Sequence, residues 1–358
     1  MTQPGTRRAT NGGRSRRIAG GAAAVIAVAV TSAACSSAPT HTTSAGGSSA
    51  PSPVSVVVGN AAATYAEAPF VVAEKNGALA AHGVTAKDTL LSSSNTLLAA
   101  LVSGGVDFGV TDSFAVLAAR AKGVPVVAVC GLYKGVPGLA LVVRPSLMQH
   151  LGLQPGAVAA DLTKLKGQTI GVNSPTSTGG KILTGLEQDA GLPTTWVQEI
   201  AIQSSSDVEA LAHGEIAGYF EDVPIPQESL ADHSGVIAFD TSAQPELTNI
   251  QYNVLATSES YATSHPAAVR QFLQAVESGQ TALSQKQPAA LKDIANIYSS
   301  GLSPSVIDDS ATAGVDTGCS MPAADWQAAA AITNKWGLAP AHITASDLSA
   351  AYKTGLGS

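Results

Sequence analysis

From residue 54 onward the apolar positions fall into short runs separated by longer stretches of helical spacing. Val54, Val56, Val57 and Val58 form a run that Gly59 and Asn60 break, which is the pattern of a buried strand. Residues 66–80 then carry helical spacing and run into a glycine turn at Gly83. Runs at 84–91, 106–110 and 124–129 predict further strands, with helices around 97–102 and 114–121. Such alternation predicts α/β architecture with a largely parallel sheet.

The same order then recurs. Thr169, Ile170, Gly171, Val172 and Asn173 repeat the strand and turn of Val57, Val58, Gly59 and Asn60, and each leads into a helix. Ala100, Leu101 and Gly104 find counterparts in Ala210, Leu211 and Gly214: a helix end, a glycine cap, then a strand. The offset between the copies is 110 residues. Two related α/β lobes make a cleft, and open α/β sheets bind ligands outside the carboxyl ends of their strands.

Composition narrows the partners. The chain has 358 residues, 45% hydrophobic but only 13% charged, which excludes a disordered charged tail protein. Five arginines lie in the first 34 residues, with no acid beside them; the remaining 14 basic residues face all 26 acids. A body so acidic excludes nucleic acid as a partner, because a phosphate backbone needs a basic face.

The arginine-rich start precedes an apolar run at 18–30 and the small residues Ser32, Ala33 and Ala34. Basic, apolar and small segments in that order predict a signal peptide over 1–34, too short in its apolar part to span a bilayer. Cys35 at the cleavage point resembles the bacterial lipoprotein box, with Ser32 where that pattern favours Leu. The resemblance implies a lipid-anchored mature terminus; an ordinary signal cut nearby is the alternative. Residues 35–53 are mostly Ser, Thr, Ala, Gly and Pro, the composition of a flexible tether. The expected location is the extracytoplasmic face of the cell membrane. Cys130 and Cys319 either pair or stand as two separately buried thiols, which the sequence leaves open.

Three segments carry a family resemblance. Pro69, Phe70, Val71, Val72, Ala73, Glu74, Lys75, Asn76 and Gly77 resemble the first helix of nitrate/sulfonate/taurine-type solute-binding proteins. The stretch from Asp161 through Leu165 and Gly167 to Val172 resembles the start of their second lobe, and the glycine-centred repeats match as well. The resemblance implies a type II periplasmic-binding fold, two α/β lobes joined by two crossing segments. On this reading lobe I takes 54–138 and 258–358, lobe II takes 139–257, and the crossings lie at 139–144 and 252–257. Helical segments at 267–283 and 324–336 would return to lobe I. The implied partners are a small-molecule solute and an ABC importer permease, with no catalysis.

Enzyme signatures are weak. No G-x-S-x-G occurs, the Ser177–Thr178–Gly179–Gly180–Lys181 stretch lacks the first P-loop glycine, and seven scattered histidines offer no metal spacing. We expect no metal and no cofactor. The richest candidate is the turn holding Ser174, Thr176, Ser177 and Thr178, where four hydroxyls open a helix whose free N–H groups favour an anion. Asn60, Tyr65, Ser92, Ser93, Thr111 and Ser113 occupy comparable turns in the first lobe, where plain helix capping is the alternative. Glu221 and Asp222 follow a strand in the second lobe and can meet an amino group or stand as solvated rim charges. The expected solute is small and anionic or zwitterionic, of sulfonate or taurine type. An aminopyrimidine vitamin precursor, or an enzyme on the same fold, is the alternative.

Overall fold

Two five-stranded sheets carry the chain, and both are built to one plan. The structure, a computed structural model, describes residues 52–61, 64–91, 93–136, 138–298 and 302–357. The signal segment, Cys35, nearly all of the tether and Ser92 lie outside the described residues. Residues 50–358 form one compact unit.

The strands of the first sheet begin with β1 (Val54–Asn60), β2 (Val84–Leu90), β3 (Phe108–Asp112) and β4 (Val126–Gly131). The second sheet holds β5 (Ala140–Val143), β6 (Thr169–Val172), β7 (Gln198–Ala201), β8 (Gly218–Glu221) and β9 (Val236–Asp240). A last strand, β10 (Asn253–Ser258), returns to the first sheet. The spatial orders are β2-β1-β3-β10-β4 and β7-β6-β8-β5-β9. In each sheet the first three strands run parallel, as the strand–helix alternation predicts. The fourth strand is antiparallel to both of its neighbours.

Two expected strands begin two residues late. Val106 and Val124 are apolar but are used to close the preceding helices, donating to the carbonyls of Ala100 and Ala119. The segments expected as crossings, 139–144 and 252–257, are largely the antiparallel strands β5 and β10 themselves, so the chain changes sheets just before each. There the two passages bond to one another. Gly135 N donates to the Ile250 carbonyl at 2.8 Å, and the buried Gln251 side chain donates to the Tyr133 carbonyl at 3.1 Å.

The core of the first sheet is apolar and partly aromatic. Phe108 of β3 packs on Phe272, ring centroids 4.4 Å apart, and Phe272 lies on the helix Pro266–Ser284 with Val269, Leu273 and Val276 on the same buried face. That helix crosses the helix Ala68–Lys75 so closely that a Cβ on Gly279 would stand 1.9 Å from the Pro69 carbonyl oxygen. Cys130 at the end of β4 is disulfide-bonded to Cys319, which resolves the alternative left open by the sequence. The bond ties the C-terminal third of the chain to the first sheet.

The helix Ala323–Lys335 does more than return to one lobe. Trp326 stacks on Tyr352 beside β4, while the following Trp336 lies on Gly185 of the helix Thr178–Asp189, which belongs to the second sheet. Lys335 pairs with Asp189 of that helix at 2.7 Å. No described helix is long and apolar enough to cross a membrane.

The helix crossing at Gly279 yields the first prediction. Gly279→Ala raises helix propensity by ~1 kcal/mol, yet the new methyl must push two backbones apart at a cost of ~1–3 kcal/mol or more. We expect thermal unfolding to fall by about 3–10 °C. A melting temperature equal to or above that of the parent protein would show that the crossing relaxes freely.

Candidate functional site

The carboxyl ends of β1 and β3 in one sheet face those of β6 and β8 in the other, and a cavity of about 1080 Å³ opens between them. Each strand ends at a residue that lines it or leads directly to one: Asn60, Asp112, Asn173 and Glu221. The repeat seen in the sequence thus becomes two sets of strand ends around one space.

The hydroxyl-rich turn is present at the cavity wall, but its groups are mostly engaged. Ser177 is the N-cap of the helix Thr178–Asp189, accepting from Gly180 N at 3.3 Å while donating to the Ser174 carbonyl at 2.6 Å. Ser174 and Thr176 share a hydrogen bond of 3.0 Å with each other. Thr178 Oγ1 reaches across the cavity and donates to Asp112 Oδ2 at 2.8 Å. The space in front of this helix N-terminus therefore holds a carboxylate of the chain itself, an arrangement that welcomes no free anion.

Asp112 closes β3 and caps the next helix, Ser113–Ala121, by accepting from Ala115 N at 2.8 Å. Burial raises its pKa, with the bonds from Ala115 and Thr178 opposing. Glu221 is 8% exposed, and one of its oxygens, Oε1, has no partner among the described residues. Burial, reinforced by the charges of Asp207 and Asp222, pushes it up to about 8. Asp222 accepts from the Tyr252 hydroxyl at 3.3 Å and is pushed up to about 7, again by burial. Behind them Asp207 is fully buried with both oxygens unpartnered among the described residues, and burial takes it to about 7. Lys181 also lines the cavity; its ammonium donates to the Leu338 carbonyl at 2.6 Å, and burial lowers its pKa against the pull of Asp112.

Of the residues chosen from sequence, Asn60, Ser93, Ser174, Thr176, Ser177, Thr178, Glu221 and Asp222 line this cavity. Asn60 is buried and donates to Asp88 at 2.6 Å; Ser93 caps the helix Ser94–Ser103 through Thr96 N. Three others face elsewhere. Tyr65 packs edge-on against Tyr298, Ser113 donates to the Gln251 carbonyl, and Thr111 is buried in β3 off the cavity wall. Asp112, Lys181, Phe114 and Tyr252 are cavity residues that the sequence reading did not select. A signal for Asp112 existed, since the 110-residue offset of the repeat carries it onto Asp222. Among the described residues no group of three His, Cys, Asp or Glu is placed to hold a metal ion.

Comparison with known proteins fits this architecture. A family model described as the NMT1-like family matches residues 49–299. No curated protein sequence matches the chain. Among solved structures, the alkanesulfonate-binding protein SsuA of Xanthomonas axonopodis pv. citri superposes with TM-score 0.67 at 19% identity, over 86% of this chain and 100% of that one. The nitrate-binding protein NrtA of Synechocystis PCC 6803 gives 0.66 at 15% identity, over 85% and 87%. A Candida albicans protein described as having the generic periplasmic binding protein fold gives 0.63 at 16% identity, over 84% and 96%. The periplasmic-binding fold expected from the family resemblance is thereby borne out.

The buried carboxyls set a pH dependence of stability. Glu221 near 8, Asp222 and Asp207 near 7 keep protons that the unfolded chain, with carboxyls near 4, has already released. The native state therefore binds more protons across roughly pH 4–8, and its stability falls as pH rises through that window. We expect a higher melting temperature at pH 5.5 than at pH 8 without added solute, and a smaller difference in the double variant Glu221→Gln, Asp222→Asn. A melting temperature that climbs over this range would contradict the assignment.

Proposed function

The chain belongs to the NMT1-like family, and we propose that it is a non-catalytic solute receptor that captures a small amino-bearing solute and delivers it to an ABC importer. The observation that carries this reading is the nearly buried Glu221, one oxygen of which has no partner among the described residues, beside Asp222 and Asp112 in a cavity between two sheets. A group taken out of water without a partner is costly, and a ligand ammonium or amino group relieves that cost. The ligands for which the similar proteins are named, alkanesulfonate and nitrate, support a solute receptor but are anions. Three carboxylates against Lys181 and the exposed Lys122 select against an unsubstituted anion. A zwitterion of taurine type satisfies both signs, its acidic group near Lys181. A ring-bearing amine such as an aminopyrimidine is the second reading, favoured by Phe114 and Tyr252, whose rings lie 6.2 Å apart in the cavity wall.

We place the protein on the extracytoplasmic face of the membrane, held by lipid on Cys35 through the tether 35–53, with the importer permease as partner. The basic, apolar, small-residue order ending in Cys35 supports this. Lobe I is assigned 54–138 and 258–358 together with β10, and lobe II the segment between. Their closing on solute is the working motion.

Two measurements test the reading. Thermal-shift screening is expected to rank taurine or an aminopyrimidine above nitrate and methanesulfonate, and Glu221→Ala, Asp222→Ala or Thr178→Ala to weaken the best hit by about tenfold or more. If nitrate or methanesulfonate ranks first and neither acidic variant weakens it, the carboxylates are not the receptor. Intact mass of the membrane-extracted protein is expected to show an acylated terminus at Cys35; an unmodified terminus within the tether would remove the anchor.

A further inference from the structure

The cavity is larger than a taurine-sized solute requires. At about 1080 Å³ it reaches the upper end of the ~300–1,000 Å³ that encloses drug-sized ligands. The extra space has a direction. Beyond the carboxylates it continues as a groove between the helices Ser94–Ser103 and Ser113–Ala121. The first helix presents Leu98 and Val102 to the groove, one turn apart; the second presents Ala115 and Ala118, with Lys122 just past its end. Leu338, from the segment after Lys335, adds an apolar wall. From Ala115 to Lys122 the groove runs about 10 Å at helical rise. Small side chains on one helix leave room, and Val102 stands 45% exposed at the outer end.

We propose that the solute is an elongated amine, its nitrogen held by Glu221, Asp222 and Asp112 and its apolar body lying in this groove. The inference rests on the amine-receptor reading and adds the shape of the solute. Two independent features converge on it. The inner end holds a carboxylate oxygen, Glu221 Oε1, unpartnered among the described residues on a side chain more than nine-tenths buried; the outer arm is apolar and belongs to the same cavity. A polar solute such as taurine would leave the exposed Val102 and the half-buried Ala115 and Ala118 facing water, whereas an alkyl or aryl body removes them from it. The far end is bounded by the exposed Ser103 and Lys122, so the groove is open and sets no sharp limit on chain length.

Titration calorimetry on the purified protein with ethylamine, n-octylamine and octanoate tests this. Each buried methylene is worth about fourfold in affinity, so octylamine is expected to bind at least ~30-fold more tightly than ethylamine. Octanoate, with the wrong sign at the inner end, is expected to bind at least tenfold more weakly than octylamine. Ala118→Phe fills the groove and should cost octylamine about tenfold while leaving ethylamine unchanged. Val102→Ser, at an exposed position that folding tolerates, should cost octylamine about threefold. Octylamine no tighter than ethylamine, or indifferent to both variants, overturns the groove assignment alone and leaves the amine receptor standing. Octanoate equal to octylamine overturns the two-ended geometry. Failure of both amines to bind takes down the receptor reading and this inference with it.

Discussion

Carboxylates do not leave water without compensation, and the interior face of this protein is organised around three that have. Asp112 accepts from a backbone N–H of its own helix and from Thr178 across the cavity. Asp222 accepts from Tyr252, while Glu221 keeps one oxygen unpartnered among the described residues. The Asp112–Thr178 bond joins the end of β3 to the start of a helix on the other sheet, so a single hydrogen bond both shelters a charge and spans the two halves. Everything else at the site follows from how the remaining acid groups are to be satisfied.

Symmetry explains why the acids meet. Both sheets carry three parallel strands followed by an antiparallel one, and their strand ends face each other. Two sheets built to one plan place the same position of the plan on both walls. Asp112 and Asp222 hold that shared position, which makes like charge confront like charge. Proton uptake relieves such a confrontation, and so does a cation between the walls. Lys181, already bonded to the Leu338 carbonyl, supplies only part of the balance.

Much of the fold could be read from periodicity, because strands such as Val54–Asn60 and helices such as Pro266–Ser284 announce their buried faces locally. The order of strands could not. That β10 inserts between β3 and β4 depends on pairings such as Leu255 with Val110 and Cys130, far apart in the chain. The site divides in the same way. Glu221 and Asp222 stood out because two acids closed an apolar strand. Tyr252 was invisible because its role is a hydrogen bond across 30 residues to Asp222. The four hydroxyls of the 174–178 turn could be counted but not apportioned. Which one caps, which bonds its neighbour and which crosses to Asp112 is a matter of rotamer and of what lies opposite.

The late return of β10 has a consequence for how the chain comes into being. As the polypeptide is made, β3 and β4 exist early, yet the strand that lies between them is not available until the entire second sheet has been synthesised. During that interval both present bare edges, that of β4 rich in valine, the kind of surface that pairs with whatever strand arrives first. A nascent first lobe is thus an unfinished object whose completion waits on its sibling. The two halves share one act of folding, and neither the first nor its half of the binding cavity is whole until the chain has passed Ser258.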